Sequence, residues 1–195
     1  MKKIFILFLF FAPFSLRSEI QTITVQWTSA LCQPSCIKGL TKEFKKIKSL
    51  ADLTIGPNTA VLYWKPTAPF SYYTVDRAMQ MIGLSINQIS IKVQGKISHT
   101  KTKVTLISSG DKTRFDLYGT IQPNPLQYTE KYNIASHPLS LSLRTQLLEI
   151  EKNDSLVTIE GPLFEPDRSP PLQLIVEKIS VQKQKEDVKK KSYQL

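Results

Sequence analysis

The sequence predicts an α+β protein: a βαββαβ unit followed by a small five-stranded β-barrel. Three observations predict it. Between residues 22 and 93, four stretches read as strands, with alternation at 22–28 and less regularly at 85–93, and two carry apolar side chains at every third or fourth position. From Ile89 onward, strand-like stretches dominate and a single helical stretch interrupts them. Among the glycines inside those later strands, Gly95 and Gly161 stand where a strand can bend sharply enough to curl a sheet on itself.

In chain order, residues 22–28 place Ile23, Val25 and Trp27 on one face, as a strand does. A loop with the only two cysteines, Cys32 and Cys36, follows. From Cys36, the residues Ile37, Leu40, Phe44 and Ile47 give one apolar helical face. Lys38, Lys42, Lys45, Lys46 and Lys48 lie largely off that stripe. Residues 50–55 read as a second strand, Gly56-Pro57-Asn58 as a turn, and residues 59–64 as a third strand ended by Lys65-Pro66. Ser71 is expected to cap a second helix with Val75, Ala78, Met79 and Ile82 as its buried stripe, and Gly83 to stop it. Residues 85–93 supply the fourth strand. Two such halves fold into a four-stranded antiparallel sheet with both helices on one face.

These residues resemble a known family. Residues 23–93 are similar to a heavy-metal-associated domain, the ferredoxin-like module of copper chaperones and periplasmic mercury-binding proteins. The cysteine pair falls between the first strand and the first helix, and Ile37, Leu40 and Phe44 follow at the family's helix spacing. Trp64-Lys65-Pro66 stands where the family often has an acidic residue and proline, and residues 78–84 resemble the end of its second helix. The chain departs from the pattern in two places. Gln33, Pro34 and Ser35 separate the cysteines where the family has two residues, and Ser29-Ala30-Leu31 replaces the usual Gly-Met. The resemblance implies that Cys32 and Cys36 are thiolate ligands for Cu(I) or another soft metal ion, exchanged with a metal donor or acceptor protein.

The residues alone leave three uses for the pair: metal binding, a disulfide, or redox exchange. The spacing departs from a Cys-x-x-Cys redox motif, while residues four apart across a helix start come within bridging range. A structural zinc site needs four ligands, and His99 and His137, the only histidines, are far off in sequence.

In the second half, residues 89–97 run on as one long strand, with further strands at 103–108 and 113–121. Pro123, Asn124 and Pro125 open a polar connection that contains Tyr128 and Tyr132. Residues 139–150, with Leu143, Leu147 and Ile150, read as a helix, and residues 156–164 and 172–181 as the last strands. Three strands, a helix and two strands resemble an OB-fold. Nucleic-acid-binding versions use exposed aromatics and a basic groove; here Phe115, Tyr118 and Phe164 alternate along strands and are expected in the core. Asp111, Asp116, Asp154 and Asp167 are expected in or beside turns, capping the backbone.

Residues 1–18 read as an export signal: Lys2 and Lys3, an apolar run over 4–14, and a polar exit ending at Ser18. The run is too short to span a bilayer comfortably; an uncleaved membrane anchor is the alternative. The domains are then 19–93, heavy-metal-associated-like, and 94–182, OB-like. A basic disordered tail, 183–195, holds five lysines against Glu186 and Asp187. Export places the chain in the periplasm or outside the cell, where close thiols oxidise. The formal charge is +10, but without aromatic interleaving nucleic acid is not an expected partner, and no later segment is long and apolar enough to cross a membrane. No nucleophile, base and orienting group stand at a recognised spacing, and no phosphate-binding glycine loop occurs. The sequence therefore points to an exported, non-enzymatic protein that binds or hands over a soft metal through Cys32 and Cys36. The alternative is an envelope interaction protein whose cysteines are bridged and whose barrel or tail binds a partner.

Overall fold

The computed structural model describes residues 20–28, 34–66, 68–120, 134 and 137–182. The expected export signal, the basic tail, Cys32, Tyr128 and Tyr132 lie outside the described residues. The fold is mixed α+β with a closed five-stranded β-barrel.

The first half comprises β1 (Ile20–Gln26), α1 (Pro34–Phe44), β2 (Leu50–Ile55), β3 (Thr59–Trp64), α2 (Tyr72–Gln80) and β4 (Gln88–His99). Its strands lie in the order β2-β3-β1-β4, all antiparallel. Alternation dictates which face is buried. Ile23 lies opposite Leu62 and Ile91, and Val25 opposite Ala60 and Ile89. These residues and the helix residues Leu40, Phe44, Val75, Ala78 and Met79 belong to one core cluster. Each fully buried large side chain there contributes about 1.5–3 kcal/mol. Tyr63, one position off that phase, is 41% exposed.

The ends of α2 follow the expected chemistry. Ser71 Oγ accepts a hydrogen bond from the Thr74 amide at 3.4 Å. Gly83 adopts φ +75°, and the Leu84 amide returns to the Met79 carbonyl at 3.1 Å. The open edge at β2 is blunted. Its register shifts between Leu50 and Asp52, and Asp52 Oδ1 occupies the Leu53 N–H at 2.8 Å, a donor that would otherwise help recruit a foreign strand.

The second half adds β5 (Val104–Ser108), β6 (Arg114–Tyr118), α3 (Leu141–Lys152), β7 (Val157–Phe164), β8 (Leu172–Ile175) and β9 (Lys178–Val181). The barrel runs β4-β5-β6-β8-β7, and β7 returns to β4 to close it. The β6–β8 pair is parallel and the others antiparallel. This order, with α3 between the third and fourth barrel strands, is consistent with an OB-like barrel. Ser140 caps α3 through the Leu143 amide at 3.3 Å, and Leu147 and Ile150 enter the core. Lys96–Asp154 at 2.7 Å and a His99–Glu151 pair tie the helix to β4.

The stretches expected at 85–93 and 89–97 form one strand, as the run-on reading expected: β4 starts at Gln88 and continues to His99, across the domain boundary expected at 93/94. Its first part pairs with β1 and its last part with β5 along one edge, while β7 occupies the other edge. The physical reason is an uninterrupted alternation, Ile89, Ile91, Val93, Gly95 and Ile97, that lets one pleated face serve both halves of the core. The strand expected at 172–181 is two, β8 and β9. From Glu160 to Leu163 is three steps on β7, yet their partners Lys178 and Leu174 are four apart. The extra residue forms a break at Val176 and Glu177, opposite Gly161. A Cβ on Gly161 would lie 1.9 Å from the Ile175 carbonyl oxygen, and one on Gly95 2.2 Å from that of Ile107. Both glycines mark crossings where one backbone presses on another, as the bent-strand reading expected.

Candidate functional site

Cys36 lies in the first turn of α1, half-buried against the core, and it is disulfide-bonded. The chain's other cysteine is Cys32, outside the described residues. A sulfur held in a disulfide carries no thiolate charge, and the thiolate is the form that ligates metal. Among the described residues, no group of three or more His, Cys, Asp and Glu side chains could hold a metal ion. His99 closes on Glu151, and the His137 backbone bonds to Ile134 and Gly119.

The arrangement richest in chemistry lies on the outer face of the barrel. Along β5, β6 and β8 the residues Val104, Leu106, Phe115, Leu117, Leu172 and Leu174 turn inward into the core. The intervening residues turn the other way, and the register sets Thr105 beside Asp116 and Asp116 beside Gln173. All three are buried, at 8%, 6% and 8% exposure. Asp116 Oδ1 accepts from the Thr105 hydroxyl at 3.0 Å, and Oδ2 accepts from Lys103 Nζ at 2.8 Å. The hydrogen bond and then the charge of Asp116 hold the Lys103 ammonium above the ordinary value of 10.5, against a weaker opposing effect of burial. Gln173 Oε1 is buried and has no hydrogen-bond partner among the described residues.

A cavity of about 280 Å³ opens beside this row, lined in part by Lys103, Asp116, Tyr118, Leu117, Leu139 and Arg144. Arg144, in the first turn of α3, donates through Nη2 to the carbonyls of Thr100 and Lys101 at 3.3 and 3.2 Å. The site thus offers an ammonium, a guanidinium, a carboxylate and a phenol around an apolar floor. Such a set offers hydrogen-bonding groups to a polar ligand atom beside an apolar surface.

The sequence reading placed Asp116 in or beside a turn; the structure corrects this. Asp116 stands in the middle of β6, and its carboxylate is bonded to side chains rather than to a turn backbone. The capping reading suits Asp111, which accepts from the amides of Thr113 at 3.2 Å and Phe70 at 3.4 Å. Asp154 follows α3 at φ 48° and pairs with Lys96. Asp167 receives the Tyr73 hydroxyl on its carbonyl at 2.9 Å. Phe115 is core, as expected, while Tyr118 and Phe164 are half-buried. Lys103, Thr105, Arg144 and Gln173 were not singled out by sequence reasoning. Thr105, Asp116 and Gln173 each stand between two core residues, but their adjacency emerges only from the strand order. Comparison with protein-family models, curated proteins and solved structures finds no match.

Proposed function

We propose that this is an exported, non-enzymatic interaction protein whose cysteine pair is a bridge and whose barrel binds a segment of another envelope protein. The observation that carries the reading is the oxidised state of Cys36, read together with the preformed cavity beside Lys103 and Asp116. Cys32 is the bridge partner in this reading, and the closed loop fixes the entry to α1. The order of helices and strands in the first half, with sheet order β2-β3-β1-β4, supports the ferredoxin-like reading of residues 19–93. That unit then acts as scaffold.

The position of Cys36 in the first turn of a helix, after a strand and a short loop, favours a second reading. Reduced, the two thiolates would hold Cu(I) or another soft ion in that loop and pass it to an acceptor's cysteines, displaced one at a time. Titrating the reduced protein with Cu(I) against a competing chelator separates the two. The interaction reading expects no binding above a double-serine control. Tight one-to-one binding that is lost in Cys32→Ser would replace it with metal handover.

A further inference from the structure

We infer that the groove between α1 and α2 is a second docking site, for an acidic amphipathic segment of a partner protein. The groove encloses about 600 Å³, within the range that accommodates a ligand or a set of anchoring side chains. Its floor is apolar: Ile47 and Ala78 are almost buried, and Met81 stands 64% exposed at its side. A thioether exposed to that degree has no role in the core, and methionine is the side chain that best adapts to varied apolar partners.

The rim carries the charge. Lys46, Lys48 and Arg77 line it, and Glu43 is the acidic residue among its lining residues. Glu43 and Lys46 pair at 2.7 Å and cancel each other, so Lys48 and Arg77 carry the net charge of the lining. Lys65 donates to the Lys48 carbonyl at 2.6 Å, which brings a further ammonium to the same end. The surface is therefore cationic around an apolar trough. The complement is a helix or strand with leucine-like anchors on one side and carboxylates flanking them. A concave trough favours such a segment over a lipid surface, because a flat bilayer cannot fill it. The groove begins at Glu43, about 10 Å along the helix from Cys36, so the proposal is independent of what the cysteines do.

The experiment is a selection of random peptides displayed against the full mature protein, followed by affinity measurement of the enriched peptides. Peptides combining Glu or Asp with large apolar residues are expected. Their affinity should fall roughly tenfold or more in Lys48→Glu/Arg77→Glu and in Met81→Asp, all changes at exposed positions. Lys-for-Glu versions of the same peptides should regain binding to the charge-reversed protein, a swap that no folding defect would produce. Enrichment of peptides indifferent to these variants, or no enrichment, overturns the proposal. So does failure of the peptides alongside strong binding to vesicles of equal phosphatidylglycerol and phosphatidylcholine that these variants abolish; that result would assign the face to membranes.

Discussion

Replacing Gly161 with alanine tests the barrel's closure with a single methyl group. The added Cβ would lie 1.9 Å from the Ile175 carbonyl oxygen, 3.1 Å from its carbon and 3.2 Å from the Glu177 nitrogen. The returning strand must therefore retreat by about 1.5 Å to restore an ordinary contact. That movement strains two backbone hydrogen bonds at the break, Val176 N–H to Tyr118 and Glu177 N–H to Glu160. Losing each costs about 0.5–1.5 kcal/mol, and overpacking by a methyl costs about 1–3 kcal/mol. Alanine stiffens the unfolded chain and offsets about 0.4–1 kcal/mol of this. The expected net loss is about 1–6 kcal/mol, centred near 3. Gly161 does not require a positive φ, so torsional strain does not contribute. Gly56→Ala is the control, because its Cβ would meet the Thr59 carbonyl oxygen at an ordinary 3.5 Å. Urea unfolding of both variants measures the difference. A Gly161→Ala protein within about 0.5 kcal/mol of wild type, at the level of ordinary surface changes, would show that the close crossing does not hold the barrel shut.

Phe115→Ala empties a fully buried ring site and should cost about 3–5 kcal/mol in the same assay; a cost near that of a surface change would mean β6 is not part of the core. Ser71→Ala should lose about 1 kcal/mol through the missing cap of α2, and Ser71→Gly much less. Among the described residues, Lys103→Met leaves the Asp116 carboxylate with only the Thr105 hydroxyl; because the ammonium itself is exposed, the loss at neutral pH should be about 1–2 kcal/mol. The Lys103 value is raised on folding, so its contribution is complete below pH 10.5 and disappears as pH rises through the raised value. Tyr72 is also raised, chiefly by burial and then by Asp76, Asp167 and Tyr73, and acts in the same direction above pH 10. Alkaline melting curves should therefore flatten in Lys103→Met and in Tyr72→Phe; curves parallel to wild type would refute the linkage.

Local sequence signals were strong where one residue type answers one physical need. Ser71 and Gly83 bracket α2 because a side-chain oxygen and a positive φ are needed at those ends. β2 and β3 match the ranges read from the sequence, 50–55 and 59–64, because turn residues and Lys65-Pro66 punctuate them. Gly95 and Gly161 were legible as bends because few other reasons place glycine inside a buried strand. The long reach of β4 was only half visible: alternation through Val93 and Gly95 indicates one strand, but which neighbours it serves depends on partners far along the chain. The break between β8 and β9 was not visible, since it arises from register against β7. The Thr105–Asp116–Gln173 row was hidden for the same reason. Each residue looks like an ordinary outward position in its own strand, and a cluster exists only because β5, β6 and β8 lie side by side. The basic character of the first helical segment was plain in its lysines, but the apolar trough beside it requires the approach of α2.

The central claim is that the cysteine pair is a bridge in a binding scaffold. Intact mass measurement of the protein recovered from its native compartment, with thiols trapped at lysis, tests this most directly. The account expects unmodified cysteines at a mass two hydrogens below the reduced chain, with no metal carried along. Two trapped thiols, or a copper ion released on denaturation, would contradict it.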